Sequence, residues 1–548
     1  MTKEQFNKIR KTFNEYKQGK ARLDKRIKDD EDWWKLRNSF EESRFFYTPN
    51  DGSNQFHANT GWLHNIIVNK HSDAVDNYPN PVILPREPGD KEEAKTLSEI
   101  IPCILEQNDF EEVWSAVMWQ KLKTGTGVYK IIWDQSKLGG LGDISISRVD
   151  LLNLFWEPGI TDIQKSRFVF QTSTESIENL EAKYPELKGK IKPRPDQSGK
   201  YRTEDYISDD GKATVTEVYR KETLRGKQIL SYCKYCGDTL LYETKGRSLY
   251  DHGLYPFVFD VLFPVEASPC GYGFVDLCSN TQTAIDLLMT SFVRNTMVST
   301  MPRYFSRIDG AVNEEEFLDI TKPIIHVNGN LGDDSLKPVQ GSGIPSNVVN
   351  VYDRLVEEIR QNSGNTETAT GTVSSGITAA SAIVALQEAS GKGSRDSVKG
   401  SYRAFTRVVS MCIELQRQFY DFPRKFRITE EIPEDDEMFV DYSNEGLKAK
   451  PVISDYGLEL GYRLPVFDIK VEAQKKDAYS QIRQNETALQ FYKLGFFVPE
   501  NAAAALMCMD MMEFDSKDLL MAKIAENAEA FAEASEKQKN RQRRKLNA

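Results

Sequence analysis

The chain is poor in histidine, with five in 548 residues, and its seven cysteines form an odd, scattered set from Cys103 to Cys508. That distribution does not suit a disulfide framework, so free thiols in a reducing compartment are expected. No apolar run is long enough to span a bilayer, and no transmembrane segment is expected. The first 34 residues lack the apolar stretch and cleavage site of a secretory signal and carry acids that transit peptides avoid; they read as mature cytoplasmic protein. Also missing are a phosphate-binding GxxxxGK(S/T) string, an HExxH and a GxSxG, so the chain is not expected to be an enzyme. Positive charge is short as well: 71 Lys and Arg against 82 Asp and Glu leave a formal charge of −11. Duplex affinity comes mainly from cations that displace counterions from phosphates, which argues against a general nucleic-acid binder.

What is present describes a soluble protein, with 39% hydrophobic and 28% charged residues. Its length exceeds what one hydrophobic core usually serves, so two or more packed regions are expected. Phe6, Ile9, Phe13 and Tyr16 recur at intervals of three and four and define one stripe of a helix, which a charged stretch from Lys17 to Asp32 continues with little to bury. The string YPNPVILPREPG carries four prolines and excludes regular helix, leaving extended chain or a short edge strand. From Lys91 to Lys123 two helices are expected, on Leu97, Ile100, Ile101, Ile104 and Leu105, then on Phe110, Val113, Trp114, Val117 and Leu122.

From Gly127 the period changes to two, through VYKIIWD, GDISISRVDLLNLFW, SRFVFQTSTE, TVTEVYRKE and QILSYCKYCGDTLLYE, which marks a sheet region. After Gly273 the apolar set Phe274, Cys278, Ile285, Leu288, Met289, Phe292, Val293 and Met297 marks one long helix ending before Pro302. A mixed segment to Ile344 includes the strand-like PIIHV. A further helix is expected from Ser346, as N-cap, through Val348, Tyr352, Leu355 and Ile359 to about Gly364. The following NTETATGTVSSGITAASA is rich in Thr, Ser, Gly and Ala and reads as an exposed, mobile loop, ahead of a helical region from about Ala382 to Tyr420. The last seventy-odd residues read as helical, broken at GFFVPE and ending in the basic tail Lys537 to Lys545.

Cys233 and Cys236, in YCKYCGD, have the spacing of half a zinc ribbon, which needs four tetrahedral ligands. A second CxxC is absent; His252 and Cys270 lie downstream and would have to complete a mixed site. The competing reading is a β-hairpin with two free thiols. On the metal reading the chain is a zinc-ribbon nucleic-acid-binding protein, to which its acidity is the main objection. A hydrolase or nuclease using Glu314, Glu315 and Glu316 is disfavoured, because adjacent acids on a helix diverge around its axis.

The strings NYPNPVILPRE, KTGTGVYKIIWD, GDISISRVDLLNLFWEPG, SSGITAASAIVALQEASGKGSRD and NETALQFYKLGFFVPENAAAALMCMDMMEF, taken in order, resemble the portal proteins of tailed bacteriophages over nearly the whole chain. The resemblance implies an α+β portal fold, mainly helical with a β-rich wing. It implies an N-terminal wing over 1–270, a first stem helix over 271–300, a clip over 301–345 and a second stem helix over 346–362. A tunnel loop over 363–380, helices returning to the wing over 381–471 and a helical crown with the basic tail over 472–548 complete the layout. It further implies a dodecameric ring at the capsid vertex that conducts double-stranded DNA. Its partners are then the terminase large subunit, head-completion or adaptor proteins, and the major capsid and scaffolding proteins. No membrane partner and no cofactor are expected.

Against that layout, Thr281, Thr283, Asn295 and Ser299 alternate with the apolar set of the first stem helix and suit a channel wall, a pattern that an ordinary amphipathic core helix would share. The expected tunnel-loop contacts are Thr366, Thr368, Thr370, Thr372, Ser374 and Ser375, in a backbone loosened by glycine; a disordered surface loop has the same composition. Arg294, Arg354 and Arg360 on the stem helices, and Lys392, Arg395 and Lys399 after the loop, are the cations expected to guide a duplex. Solvated charge or inter-subunit ion pairing competes with that role for each one. Net acidity suits a conduit, since every neutralised phosphate adds a barrier to sliding.

Overall fold

A computed structural model describes residues 2–36, 58–192, 211–224, 226–300, 303–306, 313, 336–339, 345–365, 392–427, 439–453, 459–473, 488–496, 498, 501–510, 520–521, 523–525, 527 and 531. They fall into two compact units, 1–473 and 474–548.

Helix α1 (Lys3–Trp34) starts at a reciprocal cap, in which the Thr2 hydroxyl accepts from the Gln5 amide at 3.3 Å and the Gln5 side chain accepts from the Thr2 amide at 3.0 Å. Helix α2 (Trp62–Asp76) leads into strand β1 (Pro79–Pro85), so the proline-punctuated string is extended as expected. Helices α3 (Lys91–Gln107) and α4 (Phe110–Thr124) follow, burying the apolar positions that their period marks.

The sheet region resolves into β2 (Thr126–Asp134), β3 (Asp143–Arg148), β4 (Leu154–Trp156), β5 (Phe168–Ser176), helix α5 (Ile177–Lys183), β6 (Lys212–Leu224), β7 (Lys227–Cys236), β8 (Thr239–Glu243) and β9 (Phe257–Val261). These form two antiparallel sheets, in the orders β3-β2-β9 and β4-β5-β6-β7-β8. The run GDISISRVDLLNLFW is not one strand: Asp150 accepts from the Leu152 amide and turns the chain through a 3-10 turn, so β3 and β4 belong to different sheets.

The ribbon β10 (Phe263–Pro264) and β11 (Gly271–Tyr272) delivers the chain to α6 (Phe274–Thr300). Strands β12 (Arg303–Ser306) and β13 (Leu336–Val339) pair, and α7 (Ser346–Ser363) follows. Ser346 is the first helical residue rather than the cap; the N-cap is Pro345, which makes no side-chain hydrogen bond. Helix α8 (Lys392–Phe419) is followed by β14 (Arg424–Arg427), β15 (Phe439–Tyr442), β16 (Lys450–Ile453), β17 (Glu459–Arg463) and β18 (Phe467–Ala473). Among the described residues, the return expected to be helical is thus one helix and five short strands. Strand β18 pairs antiparallel with β1, closing the first unit across nearly its whole sequence.

The main core joins α3, α4, β2, β3, β9 and α8, with Phe110, Trp114, Tyr129 and Phe405 fully buried. A second cluster joins α2, α6 and α7. The five-stranded sheet is covered on one face by α1, through Ile9 and Tyr16, and on the other by Leu180 of α5. The charged half of α1 buries more than its composition suggests: Lys20, Ile27 and Asp30 are all inside. Lys20 pairs with Asp24 at 2.8 Å, donates to the Leu151 carbonyl, and lies over the Phe155 and Trp156 rings, so its stem covers apolar surface while its ammonium stays satisfied. In the second unit, helix α9 (Ala502–Asp510) packs Ala502 and Met509 with Phe491 and Ile524; its described residues are helical or in turns, with a turn at Leu494–Phe496.

Candidate channel-facing helix pair

Helix α6 spans 27 residues, about 40 Å at 1.5 Å per residue. Its origin is fixed by two glycines. Gly125 closes α4 at φ 84°, and a Cβ there would lie 2.2 Å from the Tyr272 backbone. A Cβ on Gly273 would lie 2.2 Å from the Lys123 carbonyl. The end of α4 and the start of α6 therefore touch backbone to backbone.

Helices α6 and α7 pack through Ile285, Ile359, Tyr352, Leu355 and Val356, with the Phe292 and Tyr352 rings 5.7 Å apart. A buried polar strip on α6 holds the chain entering α2. Asp286 accepts from the Thr60 amide at 2.9 Å and its hydroxyl at 2.6 Å, Gln282 donates to the Thr60 carbonyl at 2.8 Å, and Thr290 accepts from the Ala58 amide at 2.8 Å. Elsewhere on α6 the hydroxyls of Thr283, Thr290, Ser291, Thr296 and Ser299 donate to the carbonyl four residues back. Their donors are used within the helix, and Arg294 is the one cation in its sequence. Such a helix offers few free donors to a phosphate.

Both flanks of segment 366–391 are clamped. Helix α7 ends in a left-handed Gly364 at φ 64°, with the Asn365 amide donating to the Arg360 carbonyl at 3.0 Å. Asn365 accepts from Asn69 at 3.2 Å, and Lys70 reaches the Gly364 carbonyl at 3.4 Å, tying this exit to α2. On the far side, Lys121 of α4 donates to Asp260 at 2.7 Å, to Ser401 at 2.6 Å and to the Ser397 carbonyl at 3.2 Å, tying the first turns of α8 to α4 and β9.

The expected contacts Thr366, Thr368, Thr370, Thr372, Ser374 and Ser375, and the acids Glu314, Glu315 and Glu316, lie outside the described residues. Arg294 sits in α6 and Lys392 opens α8. Arg354 is exposed on α7, whereas Arg360 is half-buried and stacks over the Trp62 ring at 5.2 Å. Arg360 thus helps fasten α7 to α2. Arg395 and Lys399 are exposed on α8, and the structure adds two cations that the sequence reading missed, Arg403 and Arg407. The spacing 395, 399, 403 and 407 is the signal that would have found them, since residues four apart share a helix face.

Cys233 and Cys236 do not form a metal half-site. Three residues apart on β7, they point to opposite faces of the sheet: Cys233 joins Phe155, Phe170 and Val218 under α1, and Cys236 joins Leu180 and Val215. Burial pushes the Cys233 thiol up to about 11 and raises that of Cys236 as well. His252 stacks on Tyr250, and burial draws it down to about 4, while Cys270 lies in the main core. No group of three or more ligating side chains occurs among the described residues. The hairpin with two free thiols is what the structure contains.

The family model described as phage P22-like portal protein matches residues 71–548. The chain belongs to the P22-like portal proteins of tailed phages. No curated protein matched it. The mixed helix and sheet architecture agrees with the α+β expectation, and no helix among the described residues is long and apolar enough to cross a membrane.

Proposed function

We propose that twelve copies of this chain form the ring at the unique capsid vertex, with α6 and α7 as stem helices beside the channel and 363–380 as the tunnel loop within it. On this reading 1–270 is the wing, 301–345 the clip, 381–471 the return to the wing and 472–548 the crown. The ring conducts double-stranded DNA during packaging and ejection, docks the terminase large subunit, and later seats head-completion or adaptor proteins. Its outer surface meets the major capsid and scaffolding proteins.

The observation that carries this reading is the α6–α7 pair, whose connection onward is clamped on both sides of 366–391 within a chain of portal family. A wall with self-satisfied hydroxyls and few cations suits sliding, because each tight phosphate contact would slow movement. The chemistry of translocation belongs to a separate motor, and this chain supplies geometry.

The test is packaging. Phage particles assembled with the chain should protect genome-length DNA from nuclease, and particles assembled without it should be empty. Replacing 366–378 by a Gly/Ser linker of equal length should leave ring formation intact and alter DNA retention. Filled particles in the absence of the chain would refute the proposal.

A further inference from the structure

The exposed face of α8 between Arg395 and Arg407 carries four cations and one exposed acid, Asp396. Arg395, Lys399, Arg403 and Arg407 are all exposed, and Lys399, Arg403 and Arg407 have no acidic partner among the described residues. The helix carries six cations and two acids in a chain whose net charge is −11. Arg407 also borders a groove of about 510 Å³ between α8 and β9, whose apolar wall includes Phe257, Phe259, Val261 and Met411.

Elsewhere in the same unit is a surface of complementary character. The α3–α4 corner places Glu106, Asp109, Glu111 and Glu112, all exposed, within seven residues that contain no base. Beside it stands the β2–β3 turn, held there by Lys137, which donates to Asn108 at 2.7 Å. That turn exposes Leu138 at 63% and Leu141 at 48%. One surface is thus a helix face rich in cations beside an apolar groove whose charged lining is Arg407, Asp162 and Glu414, and the other an apolar knob with an acidic rim.

Their placement matters as much as their chemistry. The three-stranded sheet has the order β3-β2-β9, so the groove lies along one edge strand and the knob at the turn leading into the other. Two different, complementary patches on separate flanks of one subunit make a head-to-tail contact, the kind that closes into a ring when the rotation allows. An apolar centre inside a charged rim is also the usual anatomy of a specific interface.

We propose that the cationic face of α8, with its adjoining groove, is the surface on which a second copy of this chain seats its β2–β3 turn and α3–α4 corner. This rests on the ring assembly proposed above. Nucleic acid is the competing occupant of a basic face, but a phosphate backbone has no use for the apolar groove that Arg407 borders.

The experiment follows assembly of the full-length chain by native mass spectrometry and negative-stain microscopy over a concentration series. In R403E/R407E the concentration needed to form rings should rise at least about tenfold, because like charges then face each other. Adding E106K/E112K to the same chain swaps both sides and should restore assembly. As a second readout, a chain carrying both Leu138→Cys and Ser410→Cys should give covalent dimers and larger ladders on oxidation, which neither single variant gives. If the unaltered chain forms no ring, the ring reading fails. If it does, but R403E/R407E assembles at the same concentration and the paired cysteines stay uncoupled, the surface assignment alone is overturned. Normal rings with lost DNA packaging in R403E/R407E would reassign the face to nucleic acid and overturn the second copy as its occupant.

Discussion

Lys121 and Asp260 form an ion pair at 2.7 Å with side chains 1% and 0% exposed, beneath the turn where α8 begins. A charge pair taken out of water holds its position only while both members are present, and removing one leaves an uncompensated charge. Lys121→Met should destabilise the first unit by about 3–5 kcal/mol, whereas Lys121→Met with Asp260→Leu should recover most of the loss. Urea unfolding of the two variants and the parent checks this.

Asp30 gives stability a pH dependence. Burial first, and the nearby charge of Asp276 second, raise its carboxyl to about 8. The folded value lies above the ordinary one, so the protonated acid stabilises the fold at low pH. That contribution declines as pH rises from about 4 and is gone above about 8. Asp30→Asn should flatten the fall in unfolding free energy across this window, and urea titrations at pH 5, 7 and 9 read the difference.

Gly125 allows α4 and α6 to touch. Gly125→Ala puts a Cβ into the Tyr272 backbone at a left-handed φ, and the backbone conformation alone should cost more than about 1 kcal/mol. Thermal unfolding should show a lowered Tm, accompanied by earlier proteolytic cleavage between residues 265 and 275.

The β7 cysteines should behave as buried thiols. Native protein should bind no stoichiometric zinc, a chelator should leave its Tm unchanged, and Cys233 should react with a thiol reagent only on unfolding. One zinc per chain, retained through chelation, would contradict the hairpin reading.

How far the sequence led depends on the range of the interaction. The periods of α3, α4, β2, β5, β6 and α6 are local and were legible. The strands from Arg424 to Ala473 were not, because they are only four to seven residues long, too short for a clear period, and β18 takes its partner β1 from across the fold while β14 pairs with β15 and β16 with β17. Lys121 and Asp260 stand 139 residues apart, so their pairing leaves no mark in local pattern. Arg360 was legible as a cation, but its seat over Trp62 depends on α2 packing against α7. The spacing of Cys233 and Cys236 left a metal half-site and a hairpin both open, because it coincides with a strand on which residues three apart point to opposite faces.

The most direct test of the account is the mass and symmetry of the purified chain, by light scattering and negative-stain microscopy across a range of concentrations. The account predicts a closed twelvefold ring with an opening wide enough for a DNA duplex. A monomer or dimer persisting at every concentration would contradict it.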